Sequence, residues 1–496
     1  METVFLDTLA TRNAAGVWSV SCDRDLLLAT LQQASSQAAR LGRGVLASFS
    51  QPVEFCNPLR VFIAFRQLAM GESFFWERPR EQRALVGVGA AATIEAHGST
   101  RFAKATEQWR ALQQDAVIAC APGAMPHDTG GPVFFGGFAF DPLNTHTPLW
   151  KGFPDGLLVL PALAFHCNED GAALTINRIV AAAEDVENLA RAIIAAMSRV
   201  QAEVERIVPD PQQVMSRGRE QLLEQDLLPR AEWQAQVADA VKMIRGGAYE
   251  KVVLARGVRV INDAKAFDID TTLCRLRMNY PGAYVFAIQR GERYFTGATP
   301  ERLICSQDGQ LQTIALAGSA PRGTSEEEDQ CLGEELLQSE KNQGEHNIVV
   351  ATIRDALATL CSKVQVAETP HLLKLKNIQH LETTIVGELL PGRCVLEAIE
   401  DLHPTPAVGG FPRLPTLAAI RENEQLDRGW YAGPIGWIGA SGNGEFAVAL
   451  RSALVNGSEA TLFAGCGIVA DSNPESEYAE SCLKLQVMLR GLGGED

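Results

Sequence analysis

Short apolar runs broken by glycine dominate the first two-fifths of the chain. The runs 85–89 (LVGVG) and 132–141 (PVFFGGFAFD) read as buried strands that other backbone approaches closely. The richest apolar stretch, Gly156 to Phe165, is interrupted by Pro161, and none approaches the length of a membrane span. From Asp185 to about Ile207 the period becomes helical, with Leu189, Ile193, Ala196 and Val200 roughly on one face. The segment 208–218 (VPDPQQVMSRG) has no period and is rich in proline and polar residues, as a boundary or a surface loop is.

The pattern beyond it predicts a helix from Arg230 to Ile244, stopped by Gly246 and Gly247, and then a strand from Lys251 to Arg256. Further strands are expected at Tyr294–Ala298, leading into 299–302 (TPER), and at Leu311–Leu316, leading into 317–321 (AGSAP). Ser441-Gly-Asn-Gly444 and Asn456-Gly-Ser458 are hairpin signals. Strands and long helices mix without regular βαβ alternation or any sequence repeat, so the expected class is α+β. The expected organisation is an N-terminal α+β part (1–205), a linker or surface loop (206–229) and a C-terminal catalytic part (230–496).

Composition narrows the function. The 496 residues are 46% hydrophobic and 21% charged, enough for a large core. Lys plus Arg number 44 against 60 Asp plus Glu, a net charge of −16. That balance argues against nucleic-acid or membrane partners but does not exclude an anionic small molecule, which would need local positive charge or a metal. The eleven cysteines are scattered singly without a CxxC pair, and the N-terminus lacks the basic start and apolar run of a signal peptide. A cytoplasmic protein is expected.

Several residues look chemical. If 446–455 (FAVALRSALV) is one strand, alternation places Arg451 among Ala447, Ala449 and Ala453, with room for an anion beside its guanidinium; a solvated face fits the same pattern. Asn473 and Pro474 make a good helix start, after which Glu477, Glu480 and Lys484 form one stripe. Such a stripe can hold a hard cation or simply complement the helix dipole. In a helix over 334–354 (EELLQSEKNQGEHNIVVATIR), Glu345 aligns with the apolar stripe of Ile348, Val349, Thr352 and Ile353, which allows a third metal carboxylate; a buried face that begins only at Ile348, with Glu345 solvated, is the commoner arrangement. Lys251 opens an apolar strand, where desolvation can lower a lysine pKa and make it a base, although most strand-end lysines simply reach solvent. Glu301 ends a strand, and His380 and His403 stand near Pro/Thr-rich turns. No GxSxG, Walker A or GxGxxG signature is present.

Taken in order, 250–256 (EKVVLAR), 297–303 (GATPERL), 315–320 (ALAGSA), 339–346 (SEKNQGEH), 402–407 (LHPTPA), 433–437 (GPIGW) and 463–469 (FAGCGIV) resemble the chorismate-utilising enzymes. Within that family the chain resembles the isochorismate synthases, and its long N-terminal half, notably 134–142 (FFGGFAFDP), looks more like menaquinone-pathway members than siderophore ones. The resemblance implies two stacked, mostly antiparallel sheets ringed by helices, with the site between them. Lys251 stands where water-adding members carry lysine and amine-adding members glutamine. Ala317 disfavours aminodeoxychorismate synthases, and 402–407 with Ser319 disfavours salicylate synthases.

The implied chemistry uses Lys251 as base and Glu301 as acid, with Mg2+ on Glu345, Glu477 and Glu480. Substrate would meet Arg451, Gly465, Gly467, Tyr431 and Lys484, with Gly318, His380 and Thr383 around the ring. No glutaminase partner is expected. Salicylate synthase, which adds pyruvate elimination, and a catalytically silent chorismate-binding subunit are the alternatives.

Overall fold

Glycine-rich apolar strands pack most closely when sheet lies on sheet, and that is the architecture of the computed structural model, which describes residues 18, 22–68, 70–124, 131–144, 147–207, 221–374 and 378–494. The described residues form a 13-stranded and a 10-stranded sheet. Pairing is antiparallel throughout the large sheet except for Val45–Val53 beside Val117–Cys120. The inner faces meet in an aromatic core, where Phe74 of the large sheet stacks on Phe135 of the small one with ring centroids 5.6 Å apart. Helices cover the outer face of the large sheet, burying Leu27, Leu31, Leu273, Met488 and Leu489 against it.

The two halves of the chain repeat one topology, although no repeat is visible in the sequence. At the middle of the large sheet Ser73–Arg78 pairs with Tyr284–Arg290. Outward on one side lie Arg83–Val88, Leu163–Asn168, Gly171–Val180 and Val45–Val53. On the other lie Arg293–Thr299, Ser452–Asn456, Glu459–Ile468 and Lys251–Ile261, in the equivalent chain order. Helices match as well: Arg24–Leu41 and Arg230–Arg245 precede the first strands, and Val186–Arg206 and Pro474–Leu492 follow the last.

In each half, two short connections carry a strand of one sheet directly into a strand of the other. In the first half the crossings are at 89–91 and at Pro161–Ala162, so the proline that interrupts the apolar stretch marks a change of sheet. In the second half they are at Pro300–Glu301 and at 449–451. Backbone hydrogen bonds tie each pair of crossings together. Ala91 and Ala162 donate to Leu160 and Val88, at 2.8 and 3.0 Å; Val448 and Ala298 donate to Glu301 and Arg451, at 3.0 and 3.1 Å.

Three expectations need correction. The run 446–455 is not one strand: Gly444–Val448 belongs to the small sheet and Ser452–Asn456 to the large one. Arg451 lies at the crossing with φ +48°, because alternation cannot persist through a change of sheet. The helix expected over 334–354 is two, Glu326–Gln338 and Glu340–Leu357. Ser339 ends the first and caps the second, its hydroxyl accepting from the Asn342 N–H, and a side chain that competes for backbone donors favours such a break. The helix Val186–Arg206 buries Ala190, Met197, Val200 and Val204, a face rotated slightly from the one expected, with Leu189 and Ile193 at its margin.

Of the span 206–229, the segment 208–218 lies outside the described residues, but Leu223–Asp226 is an edge strand of the large sheet, paired with Val258–Ile261. Among the described residues no helix is long and apolar enough to cross a membrane.

One buried ion pair joins these layers beneath the future site. Arg428 and Glu424 sit one turn apart, each with a side chain only 1% exposed. Glu424 accepts from the Ala255 N–H at 2.8 Å, and Arg428 donates to the carbonyls of Val253 and Val408 at 2.7 and 3.2 Å. Removing one partner leaves a buried charge uncompensated. Glu424→Ala is therefore expected to cost about 3–5 kcal/mol, and urea denaturation followed by circular dichroism checks it.

Candidate active site

A cavity of about 520 Å³ opens between the sheets at the two crossings of the second half. Lys251 and Val253 reach it from one face of the strand Lys251–Ile261, as alternation requires. Beside them runs Glu459–Ile468, with Val253 paired to Gly467 and Ala255 to Gly465. A side chain at either glycine would crowd the site. A Cβ on Gly467 would lie 2.8 Å from Lys251 Cε, and one on Gly465 would lie 3.1 Å from the Tyr431 hydroxyl.

Glu301 and Arg451 enter from the two crossings. The small sheet supplies Gly318, Ser319 and His380, with Ser319 Oγ 2.8 Å from His380 Nδ1. Two helices close the cavity. Glu345 comes from Glu340–Leu357, and Glu477, Glu480 and Lys484 come from Pro474–Leu492, which starts with the Asn473 cap and Pro474 as the sequence indicates.

Twelve of the thirteen residues singled out from the sequence thus line one cavity. Thr383 does not. It pairs with Ala315 across the small sheet, and its hydroxyl lies 2.7 Å from His346 Nε2, so it supports the helix bearing Glu345. His403 is also elsewhere, its Nε2 3.0 Å from the Phe140 carbonyl oxygen. The sequence reading missed Arg428, Asn342, Leu450, Phe463 and Lys341 as lining residues. Phe463 stacks on Tyr431 with centroids 5.2 Å apart, and exposed Lys341 bridges to Asp471 at the rim, 3.2 Å away. For Lys341, its place one turn before Glu345 was an available signal; a crossing loop offers none.

The cavity shifts its two central groups in opposite directions. Burial lowers the pKa of Lys251, while Glu345 and Glu301 pull it back. Burial pushes the Glu301 carboxyl up to about 7, against the pull of Lys251, Arg451 and Lys484. Burial thus works against the charged form of both groups, as a base and an acid facing one space require. Tyr431 is raised by burial and stays a phenol, and burial lowers His380, leaving a neutral ring. Lys484 bonds Glu480 at 2.7 Å and the Gly465 carbonyl oxygen at 2.8 Å.

The acidic wall suits a hard cation. Ligand atoms of Glu477, Glu480 and Cys466 lie within 4.8 Å of one another. Burial pushes the Cys466 thiol up to about 12, and it donates to the Glu477 carbonyl oxygen at 3.3 Å, so thiolate ligation is disfavoured and oxygen donors remain. Burial and the neighbouring Glu480 charge raise Glu477, the situation a divalent cation relieves.

This double-crossed sandwich and its cavity belong to a chain with close counterparts among known proteins. The chorismate binding enzyme family matches residues 30–493, and the chain belongs to it. It is 40% identical to the isochorismate synthase MenF of Bacillus subtilis, over 92% of this chain and 96% of that one. It is 38% identical to the salicylate biosynthesis isochorismate synthase of Pseudomonas aeruginosa, over 95% of each. In structure it resembles MenF, the menaquinone-specific isochorismate synthase of Escherichia coli, with a TM-score of 0.73, 26% identity and 99% of both chains covered.

Glu301 is expected to titrate near pH 7 in the ligand-free protein. Because Lys251 pulls its pKa down, Lys251→Ala should move the midpoint higher. Between the ordinary carboxyl value and 7 the folded state keeps a proton that the unfolded state has released, so this group's stabilising contribution is lost as pH rises through 7. Infrared titration of the carboxyl band, with Glu301→Gln as the blank, measures both.

Proposed function

We propose that this protein is an isochorismate synthase, an isomerase that converts chorismate to isochorismate. The observation that carries the reading is the facing pair Lys251 and Glu301, shifted in opposite directions inside one cavity. The reading is supported by relatives named isochorismate synthases that align over more than nine-tenths of the chain.

Lys251, neutral, takes a proton from water, and the water oxygen bonds to the ring carbon beside the carboxylate-bearing carbon. The diene shifts, the carbon–oxygen bond of the ring hydroxyl breaks, and Glu301 protonates the departing oxygen, releasing one water for the one consumed. Gly467 leaves Lys251 its space beside the strand. Arg451, with the backbone at Gly465 and Gly467, receives the enolpyruvyl carboxylate, and Tyr431 and Lys484 flank it. Gly318 and His380 bound the ring.

Glu345, Glu477 and Glu480 would hold Mg2+, directly or through water, and the ion would supply charge to anchor the ring carboxylate. No ammonia enters this chemistry, so no glutaminase subunit is needed. A menaquinone-linked role accords with the Escherichia coli MenF structure, which is described as menaquinone-specific.

Incubation with chorismate and Mg2+ should yield isochorismate as the sole product. Salicylate formed without an added lyase would indicate the salicylate synthase reading, and no product would indicate a silent binding subunit. Lys251→Ala should lower kcat by at least about a thousandfold with binding of chorismate retained, an effect at the scale of losing general-base catalysis. Glu301→Gln should do the same. Chelation of Mg2+ should abolish turnover and readdition restore it.

A further inference from the structure

Glu301 also borders a second cavity of about 10 Å³, which Lys251 does not line and which is room for one water centre. It sits between the small sheet and the helix Glu340–Leu357, and it shares Glu301, Leu316 and Ala407 with the large cavity. Most of its wall is apolar, including Leu303, Ile314, Val349 and Ile353. Thr313, also in the wall, is satisfied, its hydroxyl donating to the Leu303 carbonyl oxygen at 2.6 Å, but Thr405 is not. It is 8% exposed, and its hydroxyl is buried without a hydrogen-bond partner. Arg302, which also lines the cavity, has an unpartnered buried Nε. Buried hydroxyls almost always find a partner, so an orphan facing a water-sized space calls for one.

We propose that this cavity binds one water molecule, which accepts the Thr405 hydroxyl proton in a hydrogen bond and donates to the rear oxygen of the Glu301 carboxyl, making Thr405 a positioning residue for the acid. The inference rests on the reading of Glu301 as proton donor. A carboxyl group whose rear oxygen accepts a hydrogen bond carries its own proton on the other oxygen, which faces the large cavity. After that proton has left, the same water steadies the carboxylate until it is reprotonated. The Thr405 carbonyl oxygen is already engaged, accepting from the N–H groups of Val408 and Gly409 at 3.1 and 2.9 Å, so the backbone around the hydroxyl is fixed and the side chain is left for the water.

A crystal structure of the ligand-free enzyme at a resolution that shows ordered water tests the site directly. Density within hydrogen-bond distance of Thr405 Oγ1 and a Glu301 carboxyl oxygen is expected, and its loss in Thr405→Val. An empty cavity, or Thr405 bonded to protein instead, overturns the proposal whatever Glu301 does. Steady-state kinetics test the role. Thr405→Val should lower kcat about tenfold with KM for chorismate within twofold, and Thr405→Ser should recover most of kcat. Parallel changes in kcat and KM in both variants would indicate a packing role and reject it. If Glu301→Gln stayed active, the acid assignment would fall, whereas the crystallographic result would still decide whether the water is bound.

Discussion

The site depends on the hydrogen bond that joins two sheet-to-sheet crossings, from the Val448 N–H to the Glu301 carbonyl oxygen. A strand leaving one sheet for another loses its ladder partners for two or three residues, and those backbone groups must be satisfied in the interior. Setting one crossing against another solves this for both. Thr299 Oγ1 strengthens the junction by donating to the Val448 carbonyl oxygen at 2.6 Å. Glu301 and Arg451, one residue from each crossing, are thereby fixed at the edge of a space that neither sheet fills. The bonded backbone on both sides positions the proposed acid and a guanidinium suited to an anion relative to each other.

The electrostatics follow from where that space lies. A lysine and a glutamate in water would form an ion pair, with the amine protonated and the acid ionised. Between the sheets, desolvation opposes both charges, lowering Lys251 and raising Glu301. The charges that persist are at the walls: Arg451 from the crossing, Lys484 bonded to Glu480, and the carboxylates on the two helices. The negative wall explains how a chain of net charge −16 can attend to an anionic substrate, since the carboxylates that add to the charge are those suited to recruit a cation.

The repeated topology gives an internal comparison. The first half has equivalent crossings tied by equivalent backbone bonds, yet they carry Gly89, Ala90, Ala91, Pro161 and Ala162, with no titratable group among them. The fold supplies the geometry in both halves, and only the second half places chemistry on it. Fold and function are thus separable within one chain.

The sequence by itself determined a good deal. Strand alternation put Lys251 and Val253 on one face, helix periodicity aligned Glu477, Glu480 and Lys484, and the Asn473–Pro474 cap fixed where that helix starts. These depend on period and on local capping, which act within a few residues. Motif order pointed to Lys251 and Glu301, the proposed base and acid, which line one cavity, and the mix of strands and long helices without βαβ alternation pointed to the α+β class. The sequence reading misjudged Arg451, which reaches the cavity from a left-handed residue at a crossing and not from a continuous strand. It also placed Thr383 on the cavity wall, where the register with Ala315 sets it one layer behind. The internal repeat, the Arg428–Glu424 pair and the space behind Glu301 were decided only by the tertiary structure. Each arises from segments far apart in sequence meeting between two sheets, and no local period records which sheet a strand will join.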